Sequence, residues 1–104
     1  MNFGTSKPRG KRSSKWPALR DRFLKGKSCA VCEGQKRLEA HHIWPFHLRP
    51  DLELDPANLI PLCEGRASIN CHLIMGHLGN YRSFNLVVQA DAARWHARMK
   101  ARAG

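Results

Sequence analysis

A small α+β fold is expected from three features of this chain. Its 104 residues are 42% hydrophobic, enough for one domain with a modest core. Two short stretches, "RLEAHHI" and the apolar "NLIPLC", read as strands and stand between stretches with helical spacing. Four cysteines fall in two pairs, one before and one after the histidine doublet, and can staple a core too small to hold itself.

The chain opens on "MNFGTSKPRGKRSSK", rich in Gly, Ser, Lys and Arg and free of acids. Such a segment buries little, so residues 1–14 are expected to form a disordered basic tail and 15–104 the folded domain. Lys7, Arg9, Lys11 and Arg12 would make it a phosphate-gripping arm; a solubilising tail is the competing reading. "WPALRDRFLKGK" reads as a helix, with Pro17 in the first turn, Trp16, Leu19 and Phe23 on one face and Gly26 at the stop. "CAVCEGQKRLEAHHI" is a cysteine knuckle leading into a strand, and "WPFHLRPDLELDPA" is a Pro- and Asp-rich loop. After the second strand, "CHLIMGHLG" resembles a short helix closed by Gly79, and "DAARWHARMKARAG" a C-terminal helix.

Charge narrows the class of partner. Eighteen Lys and Arg face eight acidic residues, a formal charge of +10, which favours a polyanion: nucleic acid first, an anionic membrane surface second. No apolar run is long enough to span a bilayer, and the N-terminus lacks the apolar stretch of a secretory signal. An intracellular, cytoplasmic setting is therefore expected, where thiols stay reduced and clustered cysteines suggest a metal.

Cys29 and Cys32 have the C-x-x-C spacing of a metal knuckle, and Cys63 and Cys71 bracket "EGRASIN" as a second pair. Four thiolates in a tetrahedral array suit zinc, and a shell closed by four protein ligands is structural. Such a site contributes on the order of 10 kcal/mol of coupled folding energy, against a net stability of roughly 5–15 kcal/mol for a whole domain. A redox C-x-x-C or unrelated buried thiols are the alternatives, although the βαβ setting of a thioredoxin-like motif is missing.

Four of the six histidines lie in "HHI" and "CHLIMGH". Neighbours on a strand point to opposite faces, so His41 and His42 cannot both look the same way. A histidine at a helix start, His72, could meet one of them on a second metal. His77 lies five residues beyond His72, more than one α-helical turn, so it joins them only if the backbone deviates at Gly76; a packing or phosphate-contacting role is the other reading. His47 is a candidate phosphate contact, and His96 a surface residue of the last helix.

The order "EAHHI", "NLIPLC" with Asn58, then "CH" with His72 resembles the HNH endonucleases, also called ββα-metal or His-Me finger nucleases. The two cysteine pairs resemble the zinc-bound subset of that family, and the likeness covers roughly Trp16 to Asn85. The resemblance implies a small ββα-metal core stapled by a four-cysteine zinc site, with flanking N- and C-terminal helices. It implies that His41 binds one catalytic divalent cation, that His42 acts as general base, and that Asn58 fixes the strand carrying the base by bonding backbone across the loop. His72, with His77 as a further candidate, would complete the cation site, and Mg2+, Mn2+, Ni2+ or Zn2+ could fill it. The implied activity is hydrolysis of DNA phosphodiester bonds, by nicking or cutting double strands, leaving 5′-phosphate and 3′-hydroxyl ends. Minor-groove contact would limit sequence preference. Lys7, Arg9, Lys11, Arg12, Arg37 and His47 are the candidate nucleic-acid contacts. A monomer working beside phage-packaging or restriction partners, away from membranes, fits the resemblance. A non-catalytic zinc module that binds nucleic acid would use the cysteines and the charge, yet gives no reason for the histidine doublet or for Asn58.

Overall fold

The computed structural model describes residues 12–64, 70–78 and 82–103. Gly79 and the tail residues Lys7, Arg9 and Lys11 lie outside the described residues. The fold is α+β. Helix α1 (Trp16–Leu24) precedes strand β1 (Leu38–His42), which pairs antiparallel with β2 (Leu59–Cys63); a π-turn (His72–Gly76) and helix α2 (Val88–Ala103) follow.

Each element has a local cause. Pro17 occupies the first turn of α1, where its missing N–H costs nothing. The chain leaves α1 at Lys25 in an extended conformation, and Gly26 at φ +74° takes the left-handed geometry that turns it away. The two strands pair from Leu38 opposite Cys63 to His42 opposite Leu59; β2 is apolar throughout, whereas β1 alternates and carries Glu39 and the two histidines. The connection between them contains two short 3₁₀ turns, Pro50–Leu52 and Pro56–Asn58; Asp55 caps the second by accepting the Ala57 N–H at 2.9 Å.

Two expectations from the sequence shift. Arg12 and Ser13, assigned to the tail, are tied to the fold: the Ser13 N–H reaches both carboxylate oxygens of the buried Glu53 at 3.2 Å. The C-terminal helix begins at Val88 rather than Asp91. Asn85 explains the earlier start, because its side-chain oxygen accepts the Val87 N–H at 3.0 Å while its amide donates to Met75 O and Asp91 Oδ2. Val88 and Ala92 then enter the core.

That core is small and includes thiols. Cys29, Val31, Ile43, Ile60, Leu62, Cys63, Cys71, Val88 and Ala92 form one cluster. Helix α1 packs on β1, and α2 packs on the π-turn. The sheet therefore lies between α1 on one side and the π-turn on the other, with a histidine facing each.

Candidate metal centres

The first cluster is made by the knuckle, the end of β2 and the start of the π-turn. One ligand atom from each of Cys29, Cys32, Cys63 and Cys71 lies within 4.8 Å of the others, so the four thiols are positioned to hold a metal ion. Backbone bonds wrap the knuckle: Cys29 N–H to Gly34 O at 2.8 Å, Glu33 N–H to Cys29 O at 2.9 Å, and Val31 N–H to Cys29 Sγ at 3.4 Å. Glu33 at φ +67° makes the tight reversal. The Cys71 thiol, with the backbone amides of Cys32, Cys63 and Val31, favours the Cys29 thiolate and pulls its pKa down to about 4, while the contact with Cys29 pushes Cys71 up. Burial raises Cys32. The Cys29 thiol ionises readily while Cys32 and Cys71 resist; a cation in their midst removes that conflict.

The second cluster sits at the other end of the sheet. His41, on the face toward the π-turn, is buried at 3% exposure and meets His72 and His77. His41 Nδ1 lies 3.1 Å from His72 Nε2, and His72 Nε2 lies 3.2 Å from His77 Nε2. The outward nitrogens are anchored by acceptors. His72 Nδ1 donates to Glu64 Oε2 at 3.0 Å, and His77 Nδ1 donates to Ser83 O at 2.8 Å. A carbonyl cannot donate, and an ionised carboxylate only accepts, so in the neutral rings both Nε2 atoms are lone-pair sites. Two lone pairs then face each other at 3.2 Å beside a third imidazole whose Nε2 has no hydrogen-bond partner. Burial is the main cause that pulls His41 down to about 3, helped by the neighbouring imidazoles, and burial also lowers His77. Protonation of His41 and of His77 is thus disfavoured. The donor set, three imidazoles with orienting partners on two of them, fits a transition-metal cation.

The π-turn is what recruits His77. Five residues overshoot an α-helical turn, but π-winding closes i to i+5 and returns the side chain to the same face. Gly76, inside the turn, makes room: a Cβ there would stand 2.8–3.0 Å from the His41 ring. The regular short helix expected over "CHLIMGHLG" is therefore replaced by a π-turn that admits the third histidine.

His42 occupies the opposite face of β1. Its ring stacks on Trp16 of α1 at 4.5 Å between centroids, and its Nε2 donates to Glu53 O at 3.0 Å. Nδ1 is then the basic atom. Burial, its largest influence, lowers the His42 pKa and keeps the ring neutral. Asn58 lies buried under the loop that follows: its Oδ1 accepts the Trp44 N–H at 2.8 Å, and its amide donates to Trp44 O at 3.2 Å and Leu52 O at 3.3 Å. This side chain ties the exit of β1 to the loop containing Glu53.

All four histidines open on one cleft, whose wall also carries His47 and the cations Arg12, Arg20 and Arg82. Arg37 is not among its lining residues; it precedes β1 at the cysteine end, and its carbonyl accepts the Glu64 N–H. His96 bonds Glu33 at 2.6 Å and ties α2 to the knuckle. Gly76 stands where the sequence places the backbone deviation that brings in His77, whereas Arg82, Glu53, Glu64 and Ser83 were missed. Of these only Glu64, directly after a candidate ligand cysteine, carried a local hint.

Comparison with protein-family models, with curated proteins and with solved structures gave no match. Among the described residues no helix is long and apolar enough to cross a membrane.

Proposed function

We propose that this chain is a metal-dependent DNA endonuclease of the HNH type, built on a structural zinc and one catalytic divalent cation. The observation that carries the reading is the convergence of His41, His72 and His77 beside a neutral His42 in a cleft walled by arginines. Cys29, Cys32, Cys63 and Cys71 would hold the zinc, which closes the knuckle onto β2 and the base of the π-turn. His41, His72 and His77 would hold the second cation. When bound, it supplies Lewis-acid stabilisation of charge on the phosphate oxygens and the leaving group.

The protein's own groups account for the remaining chemistry. Trp16 and the Glu53 carbonyl fix the His42 ring and its tautomer, leaving Nδ1 to accept a proton from attacking water. Asn58 keeps the loop that supplies that carbonyl in register with the strand end. Arg12, Arg20 and Arg82 line the cleft where DNA phosphates would enter, so binding weakens as salt rises.

The test is plasmid cleavage by zinc-loaded protein in magnesium, manganese, nickel or zinc, with His42→Ala as control. Nicked or linear product from wild type and a loss of at least about 100-fold in the variant are expected. An intact plasmid in every metal defeats the endonuclease reading and leaves the zinc-bearing nucleic-acid module in its place.

A further inference from the structure

The cleft carries more than a cation site and arginines. Its volume is about 480 Å³, and Trp16, Phe46, His47 and Phe84 line it alongside Arg12 and Arg82. Phosphate binding alone needs only cations and hydrogen-bond donors. Rings on the wall need another reason.

Two of the rings are already engaged within the protein. Trp16 lies against His42, and the Arg12 guanidinium sits 5.6 Å from the Trp16 centroid and 5.0 Å from that of Phe46. Arg12 is also 3.8 Å from the Glu53 carboxylate. These contacts hold it over the cleft. The other two rings form a separate unit. His47, from the segment after β1, and Phe84, from the segment before α2, meet with centroids 6.2 Å apart and planes at 76°. His47 is exposed and Phe84 half-buried, and their contact bridges two segments at the cleft wall.

We propose that the His47–Phe84 pair is a stacking subsite for an unpaired nucleobase, so that the cleft takes single-stranded or locally opened nucleic acid. The proposal rests on the nuclease reading for the position of the scissile phosphate. In a duplex the base faces are covered by their neighbours and only edges are offered in the grooves. An aromatic wall therefore gains little from a closed duplex and much from a splayed base. Arg12 and Arg82 then serve the phosphates flanking that base.

Fluorescence anisotropy with zinc-loaded, full-length protein tests this. The probes are a labelled phosphorothioate oligonucleotide and the same strand annealed to its complement, at matched salt. The single strand is expected to bind about tenfold more tightly than the duplex. Phe84→Ala should weaken the single strand about tenfold while leaving the duplex unchanged, and Phe84→Trp should restore it. His47→Ala, at an exposed position, should weaken the single strand in the same selective way without disturbing the fold. Equal or tighter duplex binding overturns the proposal. So does an equal loss on both probes, or no loss on either. Plasmid cleavage with no Phe84 dependence on the single strand would sink the subsite and spare the nuclease. Selective single-strand binding with an uncut plasmid would do the reverse.

Discussion

Gly76→Ala separates the packing of the histidine centre from ordinary helix propensity. On propensity alone, alanine in a helical turn is favoured over glycine by roughly 0.5–1 kcal/mol. The structure reverses the sign. The new Cβ would lie 2.8 Å from His41 Cε1, 2.9 Å from Nδ1 and 3.0 Å from Nε2. That ring is buried on a strand whose backbone is paired opposite Ile60, so it cannot swing away without disturbing the sheet. Overpacking of this kind costs about 1–3 kcal/mol. Taking the middle of each range leaves a net loss of about 1 kcal/mol, a fall in Tm of roughly 4–8 °C for a domain of this size. Differential scanning calorimetry of the zinc-saturated protein reads this directly, and metal titration should show a weaker histidine site in the variant. An unchanged or higher Tm with unaltered metal affinity would show that the ring and the π-turn are not packed as described.

Three further perturbations follow from the same contacts. Asn58→Ala removes the partner of the Trp44 N–H and of two carbonyls, and chemical denaturation should show a loss of about 1–3 kcal/mol. If the four cysteines hold zinc as proposed, a strong chelator, or Cys63→Ser, should abolish the cooperative thermal transition, because about 10 kcal/mol of metal-linked folding energy rivals the stability of the whole domain. Glu64→Ala removes the carboxylate that orients His72, and calorimetric titration should show a loss of affinity of about 10- to 100-fold at the histidine site with the cysteine site untouched.

Local patterns carried much of this architecture. The stretches Leu38–His42 and Leu59–Cys63 read as the two strands, the second apolar throughout, and strand alternation alone sends His41 and His42 to opposite faces. The four cysteines, by type and spacing, pointed to one cluster. Other features depend on partners far along the chain. His77 joins His72 only because the turn is π-wound, and a 3.6-residue period is blind to a pair five residues apart. Glu53 reads as one more loop carboxylate, yet its side chain receives the Ser13 N–H forty residues away and its carbonyl orients His42. Arg20 is an ordinary helix-surface cation in sequence, and only the packing of α1 on β1 turns it to the cleft. The early start of α2 reflects the Asn85 cap, which competes with the stronger sequence pattern beginning at Asp91.

The central claim is that a thiolate-held ion and an imidazole-held ion coexist in one small domain. Native mass spectrometry of the folded chain, equilibrated with zinc and then with a second divalent metal, counts them. Two ions per wild-type chain are expected, falling to one in His72→Ala with the fold retained. A single ion in both proteins would contradict the account.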